Sequence, residues 1–377
     1  MRLIRAGHRV TLIKGMGSRT GVEHNSDQRI METDINGIRV VSVAEPYDNT
    51  MGFVRRWIAF TRFARTAGEI VCRSNADLVF ATSTPLTVGI PGMKAAKRLG
   101  VPFVFEVRDL WPELPIAMGI VRNPLVAWYL RRMERRIYQA ATRIIALAPG
   151  IKEGICRTGY PEERVALIPN ASDLELFKPS DELLDDPRFG SADDFRLVFT
   201  GAHGLANGLE SVLDAVAEIK RRGEGGLRFV FIGEGAHKPE LMARSKAEGL
   251  DPWISWVSSM PREELAEILP RMDVGMMILK NVPAFYFGTS PNKFFDYISC
   301  GLPVLNNYPG WLADMIRKNE CGKVVPPDDP SAFADAAIWM RDHREDLVGM
   351  GNNSRRLAEN DFSRADLADQ FVETLKK

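Results

Sequence analysis

Two charged residues near position 290 pose the first chemical question. In Gly288-Thr289-Ser290-Pro291-Asn292-Lys293-Phe294-Phe295-Asp296, a lysine precedes an aspartate by three residues. Ser290 is a natural N-cap and Pro291 suits the first helical position, so the string predicts a helix opening there. Lys293 then falls in the first turn, where the helix dipole disfavours a cation. An anion held at that terminus removes the penalty, so Lys293 reads as a phosphate contact, with Ser290 and Asn292 beside it. Asp296 lies one turn on, on roughly the same face. A carboxylate there can accept both hydroxyl hydrogens of a ribose. The competing reading is a local Lys293–Asp296 surface pair.

Two glycine-rich turns precede this segment. Phe199-Thr200-Gly201-Ala202-His203-Gly204-Leu205-Ala206-Asn207-Gly208-Leu209 sets one between a strand and a helix. Missing side chains let backbone N–H groups approach a phosphate, and the helix N-terminus adds a favourable dipole. Such turns also close ordinary strand–helix loops. Phe231-Ile232-Gly233-Glu234-Gly235 carries a carboxylate at its tip, which reads either as a ligand contact or as a solvated loop residue. No carboxylate pair of the glycosidase kind is specified, which would need two carboxyls about 5–9.5 Å apart. There is no DxD motif. Asp185-Asp186 and Asp328-Asp329 sit in Pro-flanked segments and read as turn residues rather than metal ligands.

These residues need elements to position them. In the first half, apolar β-branched runs at 10–13, 38–43, 78–81, 103–106, 144–148 and 165–168 alternate with helical stretches at 53–73, 87–99 and 124–141. The alternation restarts near residue 197 and continues to a closing helix at 364–375. Strands separated by helices imply βαβ units and parallel sheets. The chain, at 377 residues, exceeds the size at which one core stops growing. The expected architecture is therefore α/β, with two doubly wound Rossmann-like domains and a cleft between them. The expected boundaries are a first domain at 1–177, a polar linker at 178–195, a ligand-binding domain at 196–345 and a helical segment at 346–377. Ligands sit beyond the carboxyl ends of such strands, at the switch point.

Zero net charge removes a whole-molecule argument for nucleic-acid binding. The charge is uneven, however: residues 1–175 hold 25 Lys+Arg against 17 Asp+Glu, leaving 24 against 32 for residues 176–377. Residues 53–65 mix aromatics with Arg55, Arg56, Arg62 and Arg65 at helical spacing, and Arg131, Arg132, Arg135 and Arg136 form a second basic cluster. These predict contact with an anionic membrane surface. The alternative puts Trp57, Phe60 and Phe63 in the core with solvated arginines around them. The four cysteines are scattered and read as reduced thiols. No apolar run approaches the ~20 residues that span a bilayer. Both features point to the cytoplasm, with peripheral attachment to the inner face of the plasma membrane left open.

Together these strings resemble the family-four GT-B glycosyltransferases, close to bacterial enzymes that hand N-acetylated amino-deoxy sugars to lipid-linked O-antigen or capsule precursors. The glycine turns and the 290–303 string carry the likeness. So do Asp273-Val274-Gly275, Cys321-Gly322-Lys323-Val324-Val325-Pro326-Pro327, Glu106-Val107-Arg108-Asp109-Leu110-Trp111-Pro112 and Leu167-Ile168-Pro169-Asn170-Ala171-Ser172-Asp173. The resemblance implies retaining transfer from a nucleoside-diphosphate sugar, uridine being the expected base, to a lipid-linked saccharide acceptor. It implies no cofactor and no essential metal. It puts Asp296 at the ribose-binding acid, usually a glutamate, Lys293 at the diphosphate and Gly201 at the β-phosphate. His203, Gly204, Gly233 and Glu234 complete the expected donor set. Arg108 and Asp109, with Lys293, are the expected catalytic residues. The sequence departs from the family at Gly288, where a first glutamate is common, and at Arg108, where many relatives carry histidine. Rival readings are a nucleotide-sugar epimerase, a phosphorylase, a nicotinamide-binding enzyme, which lacks its G-x-G-x-x-G, and an inactive scaffold.

The opening string Met1-Arg2-Leu3-Ile4-Arg5-Ala6-Gly7-His8-Arg9-Val10-Thr11-Leu12-Ile13 resembles the family's first-helix ending, its R-x-G-H turn and its second strand. The resemblance implies a central strand and a Gly-rich loop before that point. The expectation is a sheet with a gap or open edge near residues 10–13 and 103–106, and reduced activity, unless a strand from residues 14–37 fills the place.

Overall fold

The computed structural model describes residues 1–15, 30–45, 53–83, 85–180, 182, 184–286 and 288–376. The chain divides into two compact units, Met1–Ile168 with Ala368–Lys377, and Pro169–Leu367.

In the first unit, β1 (Val10–Gly15), β2 (Ile30–Ile35) and β3 (Ile38–Val43) form a sheet in the order β1-β3-β2, with β1 parallel and β2 antiparallel to β3. Asn36 and Gly37, at φ 53° and 82°, make the two-residue left-handed turn that matches the twist of a hairpin. A second sheet takes β4 (Val79–Thr82), β5 (Phe103–Val107), β6 (Arg143–Ala146) and β7 (Val165–Leu167) in sequence order, all parallel. Phe103, Val104, Phe105, Ile144, Ile145 and Ala146 are all buried, the continuous apolar run of strands covered on both faces. The helices Phe53–Cys72, Gly89–Leu99, Pro124–Ala140 and Pro149–Arg157 flank these strands in sequence.

Among the described residues β1 pairs only with β3, and β4 only with β5. The edge expected at 103–106 is not there: β5 is paired on both sides, with β4 and β6. Residues 30–35 supply an outer antiparallel strand, and residues 16–29 lie outside the described residues.

The second unit holds one six-stranded, all-parallel sheet. Its strands are β8 (Phe195–Thr200), β9 (Leu227–Ile232), β10 (Ile254–Val257), β11 (Val274–Met277), β12 (Val304–Asn306) and β13 (Gly322–Val324), in the order β10-β9-β8-β11-β12-β13. The order reverses between β8 and β11, so a crevice opens beyond their carboxyl ends. Phe195, Leu197, Phe199, Phe229 and Phe231 point into one apolar core with Val212, Leu213 and Val216 of the helix Glu210–Arg221. The stretch expected as a linker is packed here: Leu184 and Phe189 are buried, and Arg196 donates to the carbonyls of Leu184, Phe189 and Ser191. The helices Pro330–Asp342 and Arg344–Asp361 belong to this unit. From Ala368 on, the last helix (Arg364–Lys376) joins the first unit, where Phe371 meets Phe80 edge to face at 5.2 Å.

Candidate functional site

The turns after β8 and β9 are locked backbone to backbone. Gly201 N–H donates to Ile232 O at 2.9 Å, His203 N–H to Glu234 O at 2.9 Å and His237 N–H to His203 O at 3.1 Å. Gly233 has φ 150°, and a β-carbon on it would collide with Gly201 O. One on Gly235 would strike His203 O. The glycines thus allow two loops to run against each other at the sheet's carboxyl edge. Lys238, almost buried, ties them: its ammonium donates to Gly233 O at 2.8 Å, Glu234 Oε1 at 3.0 Å and Val257 O at 3.2 Å. That bond, chiefly, holds the Glu234 carboxyl below its ordinary range. Gly204 has open space around it.

Lys293 enters from the helix Asn292–Ser299, two turns of chain held rigidly against the sheet. Tyr297 fixes that helix: its hydroxyl accepts from Thr200 N–H at 2.9 Å, and its ring occupies the space that a side chain at Gly275 would take. One turn earlier, the Lys293 ammonium stands 3.5 Å from the centroid of the Phe199 ring, within cation–π range, and beside Gly201. No carboxylate pairs with it among the described residues. Burial pulls its pKa down to about 7. The competing reading, a local Lys293–Asp296 pair, is not what forms: Asp296 pairs with Arg262 instead.

The helix start differs from expectation. Pro291, not Ser290, occupies the N-cap position and supplies no side-chain cap. Ser290 turns to the 167–173 string: its Oγ accepts from Asn170 N–H at 3.0 Å and its carbonyl from Asn170 Nδ2. Asn292 is exposed in the first turn, and its N–H and that of Lys293 find no acceptor among the described residues. They are free for an anion.

Asp296 is buried, 4% exposed, and gripped by Arg262, whose Nη2 and Nη1 donate to Oδ1 at 2.7 Å and Oδ2 at 3.2 Å. Burial pushes its pKa up, against the pull of Arg262. The guanidinium also stacks over the Phe177 ring at 4.7 Å. His203 is fully buried among Phe199, Phe231 and Trp256, with ring centroids at 6.1, 6.2 and 5.8 Å. Neither ring nitrogen has a partner among the described residues, and burial, with Lys238 adding to it, lowers its pKa to about 4. The neutral imidazole is therefore a core group in this structure.

In the first unit, Arg108 and Asp109 follow β5. Arg108 N–H donates to Ser83 Oγ at 3.0 Å and its guanidinium stands 3.8 Å from Glu106, which in turn accepts from Thr82 Oγ1 at 2.6 Å. No group of three or more His, Cys, Asp or Glu among the described residues is arranged to hold a metal. Arg262, Lys238 and Tyr297 were not singled out from the sequence. Their partners lie 34, 4 and 97 positions away, and nothing local in the sequence marks the first or third.

Residues 2–171 match the family model described as a glycosyl transferase 4-like domain, and residues 194–343 that of glycosyl transferases group 1. A probable glycosyltransferase, WbjE of Pseudomonas aeruginosa, is 24% identical over 308 residues, covering 78% of this chain and 73% of that protein. The alpha-D-kanosaminyltransferase of Streptomyces kanamyceticus is 25% identical over 285 residues, covering 73% and 70%. The crystal structure of Anabaena HepE in complex with UDP superposes with a TM-score of 0.67 at 15% identity, over 89% of this chain and 86% of that one.

Proposed function

Because this chain is a glycosyltransferase of GT-B fold, with a glycosyl transferase 4-like first domain and a group 1 second domain, we propose that it moves a sugar from a nucleoside-diphosphate donor to a lipid-linked saccharide. The observation that carries this reading is the Lys293 ammonium, poised with no carboxylate partner among the described residues beside the Gly201 turn at the switch point of the second sheet. A diphosphate seated there meets that cation, the backbone of residues 201–204 and the open N–H groups of Asn292 and Lys293.

The chemistry follows from that charge. In a retaining transfer on one face of the sugar, the departing phosphate takes the acceptor proton while negative charge grows on its oxygens. Fixed donors aimed at those oxygens lower the barrier. Lys293 and the helix N-terminus supply them. Arg262 orients Asp296, whose remaining lone pairs accept from the ribose hydroxyls. Uridine is the proposed base, as in the UDP bound by HepE, and an N-acetylated amino sugar the proposed cargo. Arg108 and Asp109 are assigned to the acceptor side.

The lipid-linked acceptor is supported by the helix Pro124–Ala140, which exposes Leu125, Trp128 and Tyr129 ahead of Arg131, Arg132, Arg135 and Arg136. No described helix is long and apolar enough to cross a membrane. Such a helix instead lies in the interface plane of acidic lipid. On the other segment named for this role, Phe60 and Phe63 are half-buried, and the side chain of Trp57 is outside the described residues.

The test is turnover. Incubation with UDP-N-acetylhexosamines and a polyprenyl-diphosphate saccharide should release free UDP and lengthen the glycan by one sugar. Interconversion of nucleotide sugars without free UDP would replace transfer by epimerisation. Salt-sensitive co-sedimentation with anionic vesicles, lost in Trp128→Ala/Arg132→Ala, tests the membrane contact.

A further inference from the structure

A second basic feature lies in the first unit, between the helix that carries the 53–65 segment and the helix Gly89–Leu99, and it holds none of the donor-site residues. The helices Phe53–Cys72 and Gly89–Leu99 approach closely where a β-carbon on Gly68 would meet Pro91 Cβ at 3.3 Å. Beside that contact they enclose a groove of about 710 Å³, within the size range of small-ligand sites. Arg65, Gly68 and Cys72 recur along one face of the first helix, and Ile90, Lys94 and Arg98 along one face of the second. Ala64, Gly68, Ile90 and Pro91 make its apolar floor.

The rim is cationic. Arg65, Arg73, Lys94 and Arg98 line it against a single acid, Glu69. Arg65 is paired with Glu69 at 3.3 Å, which leaves Arg73, Lys94 and Arg98 exposed with no carboxylate partner among the described residues. Arg98 stands in the last turn of its helix, where the dipole favours a cation regardless. Lys94 stands a turn earlier, outside that effect. Three uncompensated cations around an apolar floor form a receptor for a multiply charged anion. We propose that this groove binds a phosphoryl group, drawn either from the head group of an anionic lipid or from a free diphosphate. The proposal is independent of the donor site in the second unit.

Cys72 reports on the groove directly. It is partly exposed on the wall, Cys156 is partly exposed on another helix, and Cys300 and Cys321 are buried. The alkylation rate of Cys72 by iodoacetamide is read by peptide mass, with Cys156 as internal reference. The arms are inorganic pyrophosphate, phosphatidylcholine vesicles with and without phosphatidylglycerol, and sodium chloride at matched ionic strength. Slowing of Cys72 at least threefold, with Cys156 unchanged, is expected with pyrophosphate or with the phosphatidylglycerol vesicles. Pyrophosphate alone identifies a free diphosphate as the source, and the vesicles alone identify a head group. The protection should vanish in Lys94→Glu/Arg98→Glu, whose unfolding midpoint should match the parent because both positions are exposed. Lys94→Gln serves if it does not. No slowing in either arm, equal slowing of Cys156, or protection that survives the charge reversal overturns the proposal.

Discussion

Lys293 and Gly201 pack closely: a β-carbon on Gly201 would stand 3.3 Å from Nζ, on a backbone at φ 131°. Gly201→Ala therefore both strains the turn and displaces the ammonium. We expect a loss of about 1–2 kcal/mol in stability, together with weaker nucleotide binding that Ala at open Gly204 does not reproduce. Denaturant unfolding and nucleotide titration of the two variants check this.

The unliganded protein holds Lys293 at a cost. Its pKa is lowered to about 7 in the folded chain from the ordinary value near 10.4 in the unfolded one. The folded state then binds fewer protons between those values, so stability rises with pH through that window, and the penalty is full below about pH 7. Lys293→Met should stabilise the unliganded protein by about 2 kcal/mol at pH 6.5, less than the shift alone implies because the cation–π contact goes with the charge. Above pH 10 the difference should disappear. Thermal unfolding across pH measures it.

Asp296 and Arg262 should behave as one unit. Arg262→Ala leaves a nearly buried carboxylate unpaired and should cost about 2 kcal/mol, part of which Asp296→Asn restores in the double variant. If Asp296 also reads the ribose, the parent should prefer UDP to its 2′-deoxy analogue, and Asp296→Asn should bind the two alike. Calorimetric titration with both nucleotides decides this.

How far the sequence reaches is clearest at this helix. Its opposition of Lys293 to the dipole was visible in residue order, as were the glycine turns and the alternation that gives parallel sheets. The N-cap was misplaced by one residue because Ser290 finds a partner in Asn170, 120 positions away. The Lys293–Asp296 pair, held as the competing reading, is replaced by contacts with Arg262 and Phe199 for the same reason, since helical spacing allows a contact while tertiary neighbours choose it. His203 looked like a ligand on a loop. Only the packed structure shows Phe199, Phe231 and Trp256 around it.

His203→Phe tests that core role. The imidazole has a folded pKa of about 4 and, among the described residues, no partner for either nitrogen. Since this value lies below the unfolded one, near 6.5, the His203 contribution is lost as pH falls from about 6.5 towards 4. Phe at this position should match or exceed the parent at pH 7, by up to about 1 kcal/mol, and widen its lead at pH 5. Unfolding midpoints at the two pH values provide the check, and undiminished nucleotide affinity would mark the ring as structural.

The central claim is that a nucleoside diphosphate is held at Gly201 and Lys293. Titration of UDP into the parent and into Lys293→Ala, at pH 6.5 with fold confirmed by unfolding, tests it most directly. A charge-assisted hydrogen bond contributes about 1.5–3 kcal/mol, so the account predicts at least a tenfold weaker dissociation constant in the variant. Equal affinity in the two proteins would contradict it.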